Sequence, residues 1–299
     1  MLRVLKYTID FSHINYTVEK FLLELGYTRK IITHLKKYEN SITINGKWAY
    51  VKNKLQLNDI LTVTLSETND NNIIPNKLLF DIIYEDEDIL VINKPAFMPI
   101  HPSLKNYDNT LANALTYYFN SKNESIVFRC ITRLDRDTTG LCIIAKNRLA
   151  ASILNAQTKK HEIQKIYVAI CEGEIDNSGE IEAPIAREKE SIITRCIDFE
   201  KGDYSKTLYK RLRYNKKADI SLVQLKLLTG RTHQIRVHMK YINHPLIGDF
   251  LYNPHNTLMN RQALHSYKLS FVHPITREKM DFVAPLPTDM QNIISEITI

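Results

Sequence analysis

Asp135 has the residue type and the neighbours expected of a reactive carboxylate. It lies between Arg133 and Arg136, a Thr-Thr-Gly turn follows, and an apolar run begins at about Leu141. Nearby positive charge favours the ionised form of a carboxylate. An Asp in such a stretch more often occupies a solvated turn, because its side chain bonds readily to neighbouring backbone groups. The pattern predicts a strand from about Leu141, with Asp135 presented by the loop that precedes it.

Tyr167 and Arg236 are two further candidates for chemistry, far from Asp135 in sequence. Lys165 and Tyr167 belong to an apolar run and fall on one face of the predicted strand. A Tyr there usually packs in a core, but at a cleft wall it could stack on a base or move a proton. Arg236 belongs to a segment with helical spacing from Thr232, and Arg231 directly precedes that segment. Their commoner role is a surface ion pair, whereas a buried Arg could bind a carboxylate through two hydrogen bonds.

The histidines and cysteines do not form a metal-site pattern. His233 and His238 are five residues apart, so they do not share one helix face. The cysteines lack Cys-x-x-Cys spacing and indicate no disulfide framework, which fits a reducing cytosol. They are Cys130, Cys142, Cys171 and Cys196. Neither a dinucleotide-binding Gly motif nor a P-loop is present, so we expect no cofactor. From the histidine and cysteine patterns we expect no metal and a cytoplasmic location.

Composition favours a globular protein with a polyanionic partner. Of 299 residues, 44% are hydrophobic and 24% are charged, and the formal net charge is +7 with a pI of about 9.0. The length predicts two domains, or one large domain with an appendage. The positive charge moderately favours nucleic acid as a partner. Residues 1–13 lack the apolar core of a signal peptide, and no stretch approaches transmembrane length.

Residues 1–66 are predicted to form a small α/β domain with two short helices and a hairpin. Thr17 and Thr28 precede apolar residues with helical spacing and are candidate N-caps. Asn45-Gly46 is a strong hairpin signal. The basic residues of the second helix are expected either to be solvated or to bind phosphates. They are Arg29, Lys30, Lys36 and Lys37.

Residues 79–299 are predicted to form a larger domain after a polar, turn-rich linker at 67–78. Short apolar runs on either side of an acidic turn at 85–88 predict a hairpin. A further strand is expected at 223–227, and the charged stretch 186–206 is expected to form an excursion or a long hairpin. Few helices interrupt the strands, which favours an α+β fold: a large, mostly antiparallel mixed sheet with flanking helices and a central cleft.

The N-terminal pattern resembles the small RNA-binding domain named after ribosomal protein S-four. Two short helices followed by a basic hairpin that contains Ile44-Asn45-Gly46 carry the resemblance, which covers about residues 14–66. It implies that the basic residues of the second helix contact RNA.

Four motifs in the larger domain together resemble the pseudouridine synthases of the RluA type, over about residues 79–285. In chain order they are Asn93-Lys94-Pro95 with His101-Pro102, Arg133-Leu134-Asp135 with Thr139-Gly140 and Ala145-Lys146, Lys165-x-Tyr167, and the run from Gly230 to His238. The pattern continues with His244-Pro245, Gly248-Asp249 and Ala263-Leu264-His265. Each motif alone is common, but the ordered set is specific. One departure is Thr132, where the family commonly has His.

The resemblance implies a role for each candidate. Asp135 is the catalytic carboxylate at the ribose of the target uridine, acting as nucleophile or as base. Tyr167 stacks on the uracil and is a candidate to take the proton from carbon 5. Arg236 pairs with Asp135 and keeps it ionised, and Arg133 helps to occupy the space that the flipped base leaves. The other residues expected to contact RNA in this domain are Lys94, His101, Lys165 and Arg231.

The chemistry of this family fits these residue types. Isomerisation breaks an N-glycosidic bond and makes a C-glycosidic bond to the same sugar, so no atoms are gained or lost and no cofactor is needed. An anionic group is required near the anomeric carbon. The target must leave its stack, which costs roughly a few kcal/mol. A structured RNA element is the expected substrate, because RNA sequence is read mostly in loops and bulges.

Two other interpretations are open at the level of sequence. A non-catalytic RNA-binding assembly factor keeps the basic domain but does not need the three catalytic candidates together. A metal-free nuclease could use His161, His233 or His238 and would cleave RNA, whereas isomerisation leaves its mass unchanged. We expect a synthase that acts as a monomer, without membrane contact, on ribosomal RNA or on transfer RNA. The S-four-like domain favours ribosomal RNA.

Overall fold

The computed structural model describes residues 2–67, 73–104, 106–191 and 193–296. Within them the chain forms a four-stranded sheet near the N-terminus, a nine-stranded sheet over the remainder, and a separate two-stranded ribbon. Each of the two larger sheets has its own hydrophobic core. The predicted fold class is confirmed: α+β, with a large mixed sheet and flanking helices.

The N-terminal sheet joins both ends of its segment. Its elements are β1 (Leu2–Thr8), α1 (Val18–Glu24), α2 (Arg29–Leu35), β2 (Ile42–Ile44), β3 (Lys47–Trp48) and β4 (Ile60–Ser66). The strand order is β1-β4-β2-β3, and all pairings are antiparallel. The sequence did not predict β1, because Leu5 is its one buried residue and its pairing with β4 joins distant parts of the chain.

Local signals explain the two helices and the hairpin that were predicted. The Thr17 and Thr28 hydroxyls each accept a hydrogen bond from a backbone N–H in the first turn of the helix that follows. These bonds satisfy donors that a helix N-terminus otherwise leaves unpaired. Asn45 and Gly46 have φ values of 51° and 79°, as a two-residue turn matched to the strand twist requires.

The larger sheet contains most of the remaining strands. In chain order the strands are β5 (Asp81–Glu85), β6 (Ile89–Lys94), β7 (Thr139–Ala145), β8 (Gln164–Glu172), β9 (Ser178–Glu182), β10 (Ile185–Arg187), β11 (Arg195–Ile197), β12 (Lys206–Asn215), β13 (Ile220–Leu227), β14 (Leu264–Val272) and β15 (Lys279–Val283). The helices are α3 (Leu111–Ser121), α4 (Arg148–Lys159), α5 (Gln234–Tyr241) and α6 (Thr288–Glu296). Among the described residues, no helix is long and apolar enough to cross a membrane.

The sheet order is β5-β6-β7-β14-β8-β13-β12-β9, with β15 paired to β14. Among the described strands, β7 and β14 form the one parallel pair. The charged excursion contains the ribbon of β10 and β11, which pair with each other. Residues of β6 alternate between two cores: Leu90 and Ile92 face the core that includes α3, and Ile89 and Val91 face the core that includes α4. The sheet is therefore covered on both faces here.

The strand register forms a row of residues across the middle of the sheet. Gly140 of β7 is opposite Ser266 of β14, Ser266 is opposite Tyr167 of β8, and Tyr167 is opposite Leu225 of β13. Gly140 has a φ of +107°, and a Cβ there would lie 2.3 Å from the Ser266 carbonyl oxygen. Only glycine permits so close an approach in this conformation. The loop before β7, which carries Asp135, is thereby held beside Tyr167.

The N-terminal sheet packs on helix α4 of the larger unit. Leu149 and Ile153 of α4 belong to the N-terminal core, and a Cβ on Gly26 would lie 2.7 Å from Ile153. The Ser152 hydroxyl donates to the Gly26 carbonyl at 3.2 Å. Helix α4 therefore serves both units.

Glu67 links the two units at the start of the predicted linker. Its carboxylate is buried and accepts hydrogen bonds from Arg129 Nη2 at 2.5 Å and from the Arg148 backbone N–H at 2.7 Å. This residue is thus fixed on the larger unit rather than solvated, and residues 68–72 of the predicted linker lie outside the described residues. The domain boundaries at 1–66 and 79–299 stay predictions.

Candidate active site

A cleft in the larger unit narrows to a recess that contains the three catalytic candidates. The cleft has a volume of about 580 Å³ and is walled by the loop before β7, the end of α4, the start of β8 and the loop after β13. The recess, about 80 Å³, is lined by Asp135, Tyr167 and Arg236 among others. Residues that are far apart in the chain thus meet at one place.

Arg236 binds Asp135, and a second carboxylate, that of Asp249, binds Arg236. The Arg236 Nη1 donates to Asp135 Oδ2 at 3.1 Å. The Arg236 Nε and Nη2 donate to the two carboxylate oxygens of Asp249, both at 2.7 Å. Arg236 is 2% exposed and Asp249 is fully buried, whereas the Asp135 side chain is 27% exposed. The planar guanidinium suits such a bidentate pair. Asp249 thus fixes the orientation of the group that faces Asp135.

The charges of this trio stabilise one another. Burial opposes the charged form of Arg236, but the hydrogen bonds and charges of Asp249 and Asp135 outweigh it, so the pKa of Arg236 is raised. A buried Arg with two carboxylates stays cationic. Asp135 therefore has a permanent positive partner on one side and the open recess on the other.

His233 is a second neighbour of Asp135. Its Nε2 lies 3.8 Å from Asp135 Oδ2, and its Nδ1 lies 2.9 Å from the Tyr252 hydroxyl. That hydroxyl also accepts from the Arg195 backbone N–H at 2.9 Å. Burial lowers the pKa of His233, with Asp135 opposing that shift, so the neutral ring is favoured at neutral pH.

Tyr167 forms the floor of the recess. It is 5% exposed, and burial followed by the charge of Asp135 raises the pKa of its hydroxyl, against a hydrogen bond with Ser266. Tyr167 was expected beside Asp135, and both residues line the recess. The raised pKa disfavours a phenolate, so the structure supports a contact role for the ring more than a role as base.

The arginines that flank Asp135 in sequence do not bind it. The Arg136 guanidinium binds both oxygens of Asp137, at 2.8 and 2.9 Å. Arg133 is exposed at the cleft and forms no hydrogen bond or ion pair with the part of the chain that the structure describes. The distant Arg236, rather than the adjacent arginines, supplies the partner of Asp135.

The expectation that Lys94 contacts RNA is wrong. Its side chain is fully buried, and Nζ donates to the carbonyl oxygens of Pro95, Met98 and Arg136 at 2.8 to 2.9 Å. Burial lowers the pKa of Lys94 to about 8. All three ammonium donors are satisfied by backbone, so Lys94 joins the loop after β6 to the Asp135 loop.

Thr132 replaces a side chain that the family pattern would have as His. It is buried, and its hydroxyl accepts a hydrogen bond from the Ile143 backbone N–H at 3.0 Å. The Ile131 N–H donates to the Ile143 carbonyl at 2.8 Å. Thr132 therefore fastens the segment before Asp135 along β7.

The other predicted RNA contacts of the larger unit lie at the cleft. Arg231 lines both the cleft and the recess and is partly held by Asp203 at 3.4 Å. Lys165 lines both as well, and burial lowers its pKa. His101 lines the outer cleft, and burial, followed by the charge of Arg133, lowers its pKa. The structure thus brings these three side chains to the entrance that an RNA would use.

The basic residues predicted on α2 lie apart from the cleft. All four are exposed on the N-terminal unit: Arg29, Lys30, Lys36 and Lys37. Lys30 lines a groove between α2 and α4, and Lys36 lines a hollow beside the β2–β3 hairpin. Their predicted role in binding RNA stays a prediction.

The three histidines of the nuclease interpretation lie in different surroundings. His238 is fully buried between the Thr207 hydroxyl and the Ala183 carbonyl, each at 2.9 Å. His161 lines the outer cleft, and His233 contacts Asp135. One of the three is therefore removed from solvent.

Three ligand-type side chains elsewhere lie close together: Asp86, Asp88 and His273. Arg3 binds Asp88 through Nε and Nη2, at 2.9 and 2.8 Å. The His273 Nδ1 accepts from two backbone N–H groups, so its Nε2 carries the proton and faces Asp86 at 2.9 Å. Arg3 and the His273 N–H thus face the carboxylates that a metal ion would bind. Because Arg3 belongs to β1, the cluster attaches β1 to the larger unit.

Two residues of the site were not singled out from sequence. Asp249 was named only within the Gly248-Asp249 pair of the motif pattern, without a role, and Tyr252 was not named. The glycine before Asp249 was the available clue, since glycine is the usual residue where the chain needs a positive φ, and Gly248 has a φ of +66°.

Comparison with known proteins agrees with this geometry. Residues 88–241 match the family model described as RNA pseudouridylate synthase. The uncharacterized RNA pseudouridine synthase YjbO of Bacillus subtilis (strain 168) is 39% identical over 280 residues, covering 93% of this chain and 98% of that protein. The ribosomal large subunit pseudouridine synthase D of Zymomonas mobilis is 38% identical over 272 residues, covering 85% of each.

A solved structure shares the fold of the larger unit. Human RNA Pseudouridylate Synthase Domain Containing 1 superposes with a TM-score of 0.58 and 27% identity, covering 74% of this chain and 95% of that one. The chain belongs to the RNA pseudouridylate synthase family, within its RluA type. It is an RNA pseudouridine synthase, an isomerase of uridine, as the motif set predicted.

Proposed function

We propose that this synthase isomerises specific uridines of ribosomal RNA, that of the large subunit in particular, with Asp135 as the reacting carboxylate. The observation that carries the assignment is the position of Asp135. It is the partly exposed end of a buried carboxylate–guanidinium–carboxylate chain and faces an open recess. An anionic group fixed beside the ribose is what the reaction requires.

The reaction balances without any other reagent. The bond between N1 of uracil and C1′ of ribose breaks, and a bond between C5 and C1′ forms. The proton on C5 leaves and a proton reaches N1. Asp135 either adds to C1′ or removes the proton from C2′, and Arg236 stabilises its charge in both cases.

Tyr167 supports the detached base rather than ionising. Its ring belongs to the recess beside Asp135, and its raised pKa keeps the hydroxyl protonated at neutral pH. An aromatic face can hold a uracil by stacking while the base turns to present C5. Acceptance of the C5 proton then falls to another group or to water.

Arg133 is suited to the place that the flipped uridine leaves. It is exposed at the mouth of the recess and makes no ion pair with the described residues. Flipping requires a few kcal/mol of unstacking, roughly, and a guanidinium can offset part of it by stacking and binding phosphate. Three further side chains line the same cleft as Arg133 and are placed to bind the flanking phosphates: Arg231, Lys165 and His101.

The substrate proposal rests on relatives and on charge. Relatives that are 34–38% identical are named ribosomal large subunit pseudouridine synthase D. The net charge of +7 favours a polyanion. With ribosomal RNA as substrate and four cysteines that form no disulfide, the cytoplasm is the proposed location, and we propose a monomer.

Pseudouridine mapping of total RNA tests the proposal. Cells that lack the gene should lose one or more carbodiimide-reactive uridines in large-subunit RNA, and the intact gene should restore them. An Asp135→Asn variant should restore none. Restoration of every site by that variant would disprove the assignment of Asp135, and loss confined to transfer RNA would disprove the ribosomal substrate.

A further inference from the structure

Two exposed aromatic side chains form a pair on the N-terminal unit. Trp48 is 49% exposed and Tyr50 is 63% exposed, with ring centroids 5.0 Å apart and planes at 40°. Ala49 between them is buried, so the alternation of the backbone directs both rings outward. Trp48 is the one tryptophan of the chain. A large aromatic pair left in solvent commonly marks a binding surface.

The pair borders a hollow with an apolar floor and a basic rim. The hollow has a volume of about 560 Å³. Its floor includes Leu35, Ile42, Ala49 and Val51, and Lys36 and Lys52 lie at its rim. An aromatic wall, an apolar floor and two cations suit a ligand that is both aromatic and anionic.

The platform is held in place before any ligand arrives. The Asn53 side chain accepts from the Tyr50 N–H at 2.7 Å, and the Asn53 N–H donates to the Tyr50 carbonyl at 2.9 Å. The Ala49 N–H donates to the Ile42 carbonyl at 3.0 Å, and the Glu19 N–H donates to the Val51 carbonyl at 2.9 Å. A fixed surface loses little conformational entropy on binding.

The charge around the hollow identifies the class of ligand. Residues 36–54 contain five lysines and one acidic residue, Glu39, and Glu19 is a second acidic residue that bonds to Val51 through its backbone N–H. Such an excess of cations favours a phosphate chain and disfavours a cationic partner. Single-stranded RNA combines phosphates with bases that have two free faces, so it matches both the lysines and the aromatic pair.

The helices α4 and α2 carry lysines near both the cleft and this hollow. The end of α4 lines the cleft through Thr158, and α4 also lines a groove of about 690 Å³ that includes Lys159 and Lys30 of α2. The other end of α2 lies at the hollow, which Lys36 lines. Lys159, Lys30 and Lys36 thus place cations on or next to α4 and α2, the two helices that line these sites.

We propose that Trp48 and Tyr50 stack on an unpaired nucleobase of the RNA substrate, while Lys36 and Lys52 bind the flanking phosphates. The inference rests on the proposed function in that the RNA is taken to be the molecule isomerised at Asp135. It adds a base-contacting site on the N-terminal unit, remote from the reacting uridine.

Trp48 fluorescence tests the stacking directly, because this residue supplies all the tryptophan emission of the chain. A single-stranded oligouridylate should quench the emission in a saturable manner. A blunt RNA duplex of equal length, and heparin as a polyanion without bases, should leave it nearly unchanged. Equal quenching by heparin, or none by oligouridylate, would overturn the proposal. Emission that shifts with protein concentration alone would overturn it too, by assigning the surface to a second copy of the chain.

Matched variants separate stacking from simple apolar contact. The double variant Trp48→Ala/Tyr50→Ala should bind the oligouridylate about tenfold more weakly, about 1.4 kcal/mol, within the range of base–aromatic stacking. Trp48→Leu/Tyr50→Leu should weaken binding as much, whereas Trp48→Phe/Tyr50→Phe should retain most of the affinity. Equal affinity of the Leu and Phe variants would overturn the stacking claim.

The salt dependence of RNA binding and the kinetic constants of the variants test the roles of the lysines and of the aromatic pair separately. Lys36→Ala/Lys52→Ala should reduce the slope of log affinity against log salt by about 0.7 per lysine, and the aromatic variants should leave it unchanged. The aromatic variants should raise KM for folded substrate RNA and retain kcat. Asp135→Asn should retain the quenching, so failure of the catalytic assignment is distinguishable from failure of this one.

Discussion

The recess at Asp135 and the hollow at Trp48 handle charge in opposite ways. In the recess, Arg236 is buried and its guanidinium donates to Asp249 and Asp135. Around the hollow, the lysines are exposed. A buried charge must be matched within the protein because water cannot solvate it. An exposed charge is solvated by water and stays free to bind a phosphate. The recess at Asp135 is therefore suited to chemistry, and the hollow at Trp48 to binding.

The largest expected effect is on catalysis and comes from Asp135. Asp135→Asn should reduce the rate of pseudouridine formation by roughly 10³-fold or more, because the amide is neither nucleophile nor base. Stability should fall by only about 1 kcal/mol, since Arg236 keeps its two bonds to Asp249. A single-turnover assay and urea unfolding measure the two effects. A rate within about tenfold of wild type would remove Asp135 from the mechanism.

Removal of the Asp249 charge should have the largest effect on stability. Asp249→Asn leaves the buried Arg236 without its bidentate partner and should lower the free energy of unfolding by roughly 3–5 kcal/mol. The matched control is Asp203→Asn, which removes the exposed partner of Arg231 and should cost less than about 1 kcal/mol. Similar costs for both variants in urea unfolding would contradict the contrast between buried and exposed charge.

Gly140 tests how the sheet positions the Asp135 loop. Gly140→Ala places a Cβ against the Ser266 carbonyl at a φ of +107° and should cost roughly 3 kcal/mol, from strain and overpacking. Gly46→Ala has the same kind of φ but nothing within 4 Å of the new Cβ. That control should cost roughly 1–2 kcal/mol. Thermal unfolding compares them, and equal costs would show that the close approach is not decisive.

Tyr167 should act through its ring. Tyr167→Phe should retain kcat within about tenfold, and Tyr167→Ala should reduce it at least about 10-fold further, since stacking is worth roughly 1–3 kcal/mol. Because its pKa is raised, the hydroxyl stays protonated at neutral and mildly alkaline pH. No steady rise in kcat with pH should therefore appear in that range. Such a rise in the wild type that disappears in Tyr167→Phe would assign the base role to the phenolate.

The smallest effect is expected from the surface cations of α2. Arg29→Ala/Lys30→Ala should weaken RNA binding and reduce the salt slope by about 0.7 for each phosphate that the protein no longer neutralises, with no change in stability. Lys216→Ala/Lys217→Ala, an exposed pair in the turn between β12 and β13, makes the same change in net charge. Equal effects of the two double variants would mean that net charge alone attracts the RNA.

Much of the fold followed from local pattern. Thr17 and Thr28 predicted both N-terminal helices, and Asn45-Gly46 predicted the hairpin, because capping and turn geometry depend on neighbouring residues. The motif that contains Asp135 predicted its loop and strand for the same reason. Strand β1 was missed because its burial depends on β4, far along the chain.

The sequence by itself determined which residue types the site contains, since Asp135, Tyr167 and Arg236 belong to motifs with a fixed order. Only the tertiary structure decided the electrostatic partners. It paired Arg236 with Asp249 and with Asp135, and it buried Lys94 among carbonyls. The physical reason is that a charge selects its partner by distance and by loss of solvent. Both quantities exist only after β7, β8, β13 and β14 have aligned.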